Sequence, residues 1–149
     1  MSVTQSLSCP RCNIPLPTDG AVRACDQCEG VLLPQPALQP LLLKLAAELR
    51  EEGCFDSTPA EVTDKGPAGS CPQCGQRMEN YGYLSSSKVL IDSCFECGLI
   101  WTDDKELTAM AKMHAKSLEA EDRILEERRA ADDEAAAAAI RHLRIRRMN

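Results

Sequence analysis

Cysteine is the residue type most able to do chemistry in this 149-residue chain, and eight of its nine cysteines form four Cys-x-x-Cys pairs. The pairs are Cys9 with Cys12, Cys25 with Cys28, Cys71 with Cys74, and Cys94 with Cys97. Two such pairs brought together offer four thiolates, which is the ligand set of a tetrahedral Zn²⁺ site. We therefore predict two Zn²⁺ ions per chain. Four protein ligands leave no open position for water or substrate, so these sites are expected to be structural.

The segments that must position the cysteines repeat a single plan. Residues 9–50 and 71–118 each contain a Cys-Pro-x-Cys pair, a predicted β-hairpin, a second cysteine pair, an apolar stretch and a helix. The first hairpin is predicted around Asp19-Gly20 with a strand at 21–24, and the second is predicted to join YGYL to KVLID through three serines. Gly75 and Gly98, directly after their pairs, can adopt the positive φ that such a turn needs. The residues expected to correspond are Leu16 with Met78, Val31 with Ile100, Leu32 with Trp101, and Leu38 with Leu107.

Each module is predicted to end in a helix. The first spans about residues 37–52 and stops at Gly53. The second begins at Thr102 or Asp103, where Asp103 and Glu106 have the spacing of a capping box, and no Gly or Pro interrupts it afterwards. The predicted organisation is a zinc module with its helix at 1–53, a linker at 54–70, a second zinc module at 71–102 and a long helix at 103–149. The fold class is a small metal-bound α+β protein.

Composition supports structural metal and argues against an enzyme. Aromatic residues make up only 3% of the chain, which is little material for a large core. A module of about 40 residues is near the lower size limit for folding alone. A structural zinc contributes about 10–16 kcal/mol of apparent binding energy, which is enough to stabilise such a module. No nucleophile–base or acid pair is recognisable, so we expect no enzymatic activity.

The net charge bears on which partners the protein can bind, and the N-terminal sequence bears on its cellular compartment. The formal net charge is −6. Eight thiolates add eight negative charges and two Zn²⁺ ions return four, so the loaded chain carries about −10. Bulk electrostatics therefore disfavour nucleic acid. The chain shows neither a secretory signal nor a membrane span, and we expect a cytoplasmic protein.

The pattern C-P-x-C-x-x-x-[LM], a hairpin, C-x-x-C, an apolar stretch and an acidic helix start resembles the transcription-factor-IIB-type zinc ribbon of small prokaryotic proteins. The resemblance covers residues 9–38 and 71–107 and implies two tandem ribbons. The first copy has Leu32 in place of the family's Trp and Ala37 in place of its Glu. The second keeps Trp101 but has Leu99 where a Gly is usual. None of these departures affects a predicted metal ligand.

Other residues with potential chemistry are expected to be structural. Cys54 is predicted to be an inert thiol, and His114 and His142 lack partners at ligand spacing. Trp101, Tyr81 and Tyr83 suit a small core better than a platform for stacking nucleic-acid bases.

The resulting prediction is a non-enzymatic interaction or adaptor protein that binds another protein. The first alternative is a regulatory nucleic-acid-binding protein, which would use the four arginines of the C-terminal IRHLRIRR segment. These are Arg141, Arg144, Arg146 and Arg147. A basic helix C-terminus also complements the helix dipole without any ligand. The second alternative is rubredoxin-like electron transfer, because paired cysteine turns also hold iron.

Overall fold

The structure is a computed structural model that describes residues 6–53, 67–84 and 88–147. Five strands and two helices follow one another along the chain. They are β1 (Arg23–Ala24), β2 (Val31–Pro34), α1 (Gln35–Glu51), β3 (Glu79–Gly82), β4 (Leu90–Cys94), β5 (Leu99–Thr102) and α2 (Asp104–Arg147). This is the small α+β fold with a long C-terminal helix that the sequence predicts. Cys54 lies outside the described residues, and so do residues 85–87, which hold the three serines.

The chain divides into two units, Met1–Ala115 and Lys116–Asn149. The first unit contains both modules, and the second is the later part of α2. The division into two zinc modules, a linker and a long helix, which the motifs indicate, stays a prediction.

Both modules of the first unit contribute to one antiparallel sheet with the strand order β1-β2-β5-β4-β3. The modules meet where β2 pairs with β5, and Leu32 stands opposite Trp101. These two residues are also counterparts in the sequence repeat, 69 positions apart. On either side of them, Val31 pairs with Thr102 and Leu33 pairs with Ile100. The pairing is therefore symmetric about Leu32 and Trp101, and the two modules are related by an approximate twofold axis through this pair.

The two helices also begin at equivalent positions of the repeat. Gln35 and Asp104, the first residues of α1 and α2, are 69 positions apart, as are Leu32 and Trp101. One buried cluster contains residues of the sheet together with Leu42 of α1 and Met110 of α2. A second buried cluster contains Leu32, Trp101 and cysteines of both modules. Strand side chains alternate between the two faces of a sheet, so neighbouring residues such as Leu32 and Leu33 enter different clusters.

The start of α2 is capped as the sequence predicts. The Glu106 N–H donates to Asp103 Oδ1 at 2.8 Å, and the Asp103 N–H donates to Glu106 Oε2 at 3.0 Å. This reciprocal pair is a capping box, and it satisfies two backbone donors that a helix N-terminus otherwise leaves unpaired. Thr102 lies in β5, so the helix follows the strand almost directly.

Helix α1 begins two residues earlier than predicted and has no side-chain cap. Pro36 occupies the first turn, where a missing N–H costs no helical hydrogen bond. The Gln35 N–H donates to Gly98 O of the other module at 2.8 Å. The helix ends at Glu51, and Gly53 follows with φ of 62°.

The prediction of a first hairpin around Asp19-Gly20 is wrong. The strand expected at 21–24 is shortened to β1, and its partner is β2, beyond the second cysteine pair. Gly20 does adopt a positive φ of 84°, but no strand precedes it within the described residues 6–19, where Ser8 and Pro15 form only an isolated bridge. The second hairpin pairs β3 with β4 as predicted, with Tyr81 opposite Ile91. Each strand is displaced by two residues from its predicted bounds, away from the connecting loop.

Candidate metal centres

The four cysteine pairs form four turns with a common backbone geometry. In each, the residue after the second cysteine has a positive φ and donates its N–H to the carbonyl of the first cysteine at 2.8–2.9 Å. These residues are Asn13, Glu29, Gly75 and Gly98. The expectation that Gly75 and Gly98 adopt positive φ is confirmed. In the first module two residues with side chains take the same conformation, which is unusual for Glu29 in particular.

These turns direct backbone N–H groups at sulfur. The Arg11 and Cys12 N–H groups approach Cys9 Sγ at 3.4 and 3.3 Å. Backbone N–H groups also bond to Cys25, Cys74 and Cys94. Hydrogen bonds of this kind stabilise the thiolate form and orient it toward a metal.

Pairs of turns bring the eight sulfurs together as two sets of four. Site 1 comprises Cys9, Cys12, Cys25 and Cys28, and site 2 comprises Cys71, Cys74, Cys94 and Cys97. Within each site all four Sγ atoms lie within 4.8 Å of one another. The Cys9 and Cys28 sulfurs are 3.7 Å apart, and those of Cys74 and Cys94 are 3.6 Å apart.

These separations fit a zinc ion. A tetrahedral Zn²⁺ with Zn–S bonds of about 2.3 Å places its sulfurs about 3.8 Å from each other. The donor set of four thiolates is also one that selects zinc or iron over oxygen-preferring metals. Both sites could therefore hold a metal ion.

The pKa values show why each set of thiols needs a cation. Burial, together with neighbouring cysteines, raises the pKa of Cys12 and of Cys97 to about 12. At Cys25 burial opposes ionisation, but hydrogen bonds from the N–H groups of Cys28 and Gln27 and from neighbouring thiols together outweigh it, and the pKa falls to about 7. Four neighbouring thiols cannot all ionise beside one another without a positive charge to compensate.

The two sites differ in their exposure. In every pair the first cysteine is buried: Cys9, Cys25, Cys71 and Cys94. The second is half-buried in three pairs and exposed at Cys74. Site 2 is therefore open to solvent at one of its ligands, and site 1 is better covered.

The remaining residues considered from the sequence are placed as follows. Trp101 is only 3% exposed and belongs to the core. The Tyr83 hydroxyl shares a hydrogen bond with His114 Nε2, and burial raises the pKa of this tyrosine. His142 is exposed on α2.

A groove that the sequence does not predict lies beside site 2 in the first unit. It has a volume of about 300 Å³, and Tyr81 and Phe95 contribute to its lining. The two residues are 51% and 64% exposed, and their rings pack edge to face with centroids 6.4 Å apart. Phe95 lies in the turn between Cys94 and Cys97. A large apolar residue in this turn is the feature of the sequence that could have indicated an exposed binding surface.

Comparison with known proteins agrees with this geometry in the second module. Residues 70–113 match the zinc-ribbon family of the TFIIB type, described as "Transcription factor zinc-finger". No curated protein and no solved structure matches the chain. The family match includes all of site 2 and the start of α2, whereas site 1 is supported by the converging cysteines alone.

Proposed function

We propose that this protein is a non-enzymatic, protein-binding zinc protein in which two Zn²⁺ ions hold together a double-ribbon body. The observation that carries the proposal is the convergence of eight sulfurs into two four-cysteine sites within a core shared by both modules. Each ion would be bound by four thiolates of this chain. It would supply structural cross-linking and no reaction centre, because no coordination position is left for a substrate.

We also propose that the first module is a second ribbon of the same family. It has the same turn geometry and the same strand pairing across the twofold axis as the matched module, and its helix begins at the equivalent position. Reduced zinc–thiolate sites suit a reducing compartment such as the cytoplasm. Among the described residues, no helix is both long enough and apolar enough to cross a membrane.

The surface proposed for partner binding is the groove beside site 2. Its floor includes Leu38, Ile91 and Ile100, and its rim includes the exposed rings of Tyr81 and Phe95. Exposed aromatic side chains beside a concave apolar surface are typical of binding sites for protein partners.

The groove favours an uncharged, extended peptide segment as the ligand. No charged side chain is among its lining residues, so phosphate or carboxylate groups would find no counter-ion there. The amides of Gln35 and Gln39 and the Ser93 hydroxyl can each donate and accept hydrogen bonds, as peptide backbone groups require.

Metal analysis tests the first part of the proposal. The purified protein should be colourless and contain two zinc ions per chain. A red protein containing iron would favour the electron-transfer alternative instead.

Peptide selection on the zinc-loaded protein tests the second part. Selected peptides should be uncharged in their central residues, and Phe95→Ala should weaken their binding at least about tenfold. Val22→Ala, which truncates an exposed apolar side chain away from the groove, is the matched control. Selected peptides that bind the Phe95→Ala protein unchanged would contradict the assignment.

Nucleic-acid binding is the second candidate function, and one observation favours it. Residues 140–147 expose four arginines and no acidic residue. Binding through them should weaken steeply with salt and be lost when all four become alanine. Absence of binding to DNA and RNA at low salt would eliminate this candidate.

A further inference from the structure

The second unit of the protein, from Lys116 onward, is a helix whose side chains are almost all exposed. Several of them are large and apolar, with exposed fractions of 49–63%. These are Ile124, Leu125, Ile140, Leu143 and Ile145. Most helices in proteins gain their stability by packing one face against another element.

Four apolar residues of this unit form a single stripe. Leu118, Leu125, Ala136 and Leu143 are separated by 7, 11 and 7 residues. Seven residues make slightly less than two helical turns and eleven make slightly more than three, so the four side chains lie on the same side of the helix. Leu125 and Leu143 are at least half exposed.

The stripe is palindromic. Leu118 and Leu143 are equally far from the midpoint between residues 130 and 131, and so are Leu125 and Ala136. In a twofold-symmetric pair, residue i of one chain meets residue j of the other, and j meets i. When two such helices pair antiparallel, each apolar residue of the stripe therefore meets an apolar residue of the other chain's stripe.

Charges near the midpoint obey the same symmetry. Arg129 mirrors Asp132, and both exposed side chains lie on the same side of the helix as the stripe. In an antiparallel pair Arg129 faces Asp132 of the other chain, whereas a parallel pair would set Arg129 against Arg129 and Asp132 against Asp132.

The wider charge distribution favours the same orientation. Residues 119–134 contain eight acidic and three basic side chains, and residues 140–147 contain four arginines and no acid. Antiparallel pairing brings Arg141 of one helix level with Glu119 and Glu121 of the other. Parallel pairing would place like charges together along the whole length, which is unfavourable.

From these observations we propose that residues 118–143 of α2 form an antiparallel, twofold-symmetric pair with the same segment of a second copy of this chain. Leu118 packs against Leu143, and Leu125 packs against Ala136, on both sides of two symmetry-related pairs of Arg129 with Asp132. The overlap is 26 residues, or about 39 Å of helix.

Sedimentation of the zinc-loaded full chain over about a hundredfold range of concentration tests self-association. The mass should rise from that of one chain to that of two. Arg129→Asp or Asp132→Arg alone should raise the dimer dissociation constant about tenfold or more, since each sets like charges opposite one another. A mixture of the two variants should dimerise again, because each new charge then faces its opposite.

Arg123→Asp and Glu134→Arg are the matched controls, since they make similar charge changes on the opposite side of the helix. Both should dimerise like the unchanged protein. Circular dichroism and zinc content verify that every variant is folded. A chain that stays monomeric throughout, or charge variants no weaker than their controls, would overturn the proposal.

Photo-crosslinking tests the orientation. A benzoylphenylalanine placed at Leu143 should link to residues near Leu118. Within one helix these positions are about 38 Å apart, so this link can form only between two chains. Links between the regions around position 143 of both chains would show parallel pairing and reject the antiparallel model.

Discussion

The indole ring of Trp101 lies directly against the backbone of Gly30, which belongs to the other module. A Cβ atom at position 30 would stand 2.2 Å from Trp101 Cζ2 and 2.4 Å from Cη2. Leu32 and Leu99, the counterparts of these two residues in the repeat, are both buried in the same cluster and line the same small cavity. The two halves of the module interface therefore differ in size but complement each other. The large ring of Trp101 contacts a glycine on one side of the axis, and two leucines occupy the equivalent positions on the other side.

This contact makes Gly30→Ala destabilising for reasons of space alone. The added methyl group must displace the ring from a close-packed core, which typically costs about 1–3 kcal/mol of unfolding free energy. Chemical denaturation of the zinc-loaded protein measures the loss. In a Trp101→Leu background the same change should cost clearly less, and equal costs in both backgrounds would show that the two residues are not coupled.

The capping box gives a second prediction. Asp103→Ala removes the acceptor for the Glu106 N–H and should lower the unfolding free energy by about 1 kcal/mol. It also removes an ion pair with Arg11 at 3.6 Å, which is partly exposed to solvent and should contribute little. Asp104→Ala is the control, because Asp104 is an exposed residue of the first helical turn and is placed to interact with the helix dipole. Its effect should be a few tenths of a kcal/mol, and a similar loss in both variants would contradict a specific role for the cap.

Metal binding at the two sites should be cooperative, because β2 pairs with β5 and cysteines of both sites share one cluster. Cys71→Ser should weaken zinc retention at site 1 as well as at site 2. Competition with a coloured chelator measures this retention. Cys54→Ser is the control and should keep two zinc ions. A variant that loses one ion and holds the other as tightly as before would show that the sites are independent.

Zinc affinity should fall as the pH falls. The pKa values of Cys12 and Cys97 are raised to about 12 without metal, so these thiols are protonated at neutral pH and must lose protons to bind zinc. Because the metal-bound folded state keeps them ionised, the stability that zinc adds is present at neutral and higher pH and is lost on acidification. Titration calorimetry in buffers of different ionisation enthalpy should show proton release. Affinity that is constant between pH 5 and 8 would disagree with this account.

The sequence by itself determined the features that depend on local spacing. Paired cysteines specify turns that aim two sulfurs at one point, Asp103 and Glu106 specify a helix start, and the repeat specifies two equivalent modules. These follow from the sequence because the interacting groups are only a few residues apart, or recur in the same order.

Only the tertiary structure decided how the modules join. Antiparallel pairing of β2 with β5 links segments about 69 residues apart, and strand patterning does not specify which edge a strand will choose. That choice buried Trp101 against Gly30. It also left Phe95 and Tyr81 exposed beside an open groove. The exposure of a residue depends on which other residues pack against it in the folded protein, and the spacing of residues in the sequence does not determine this.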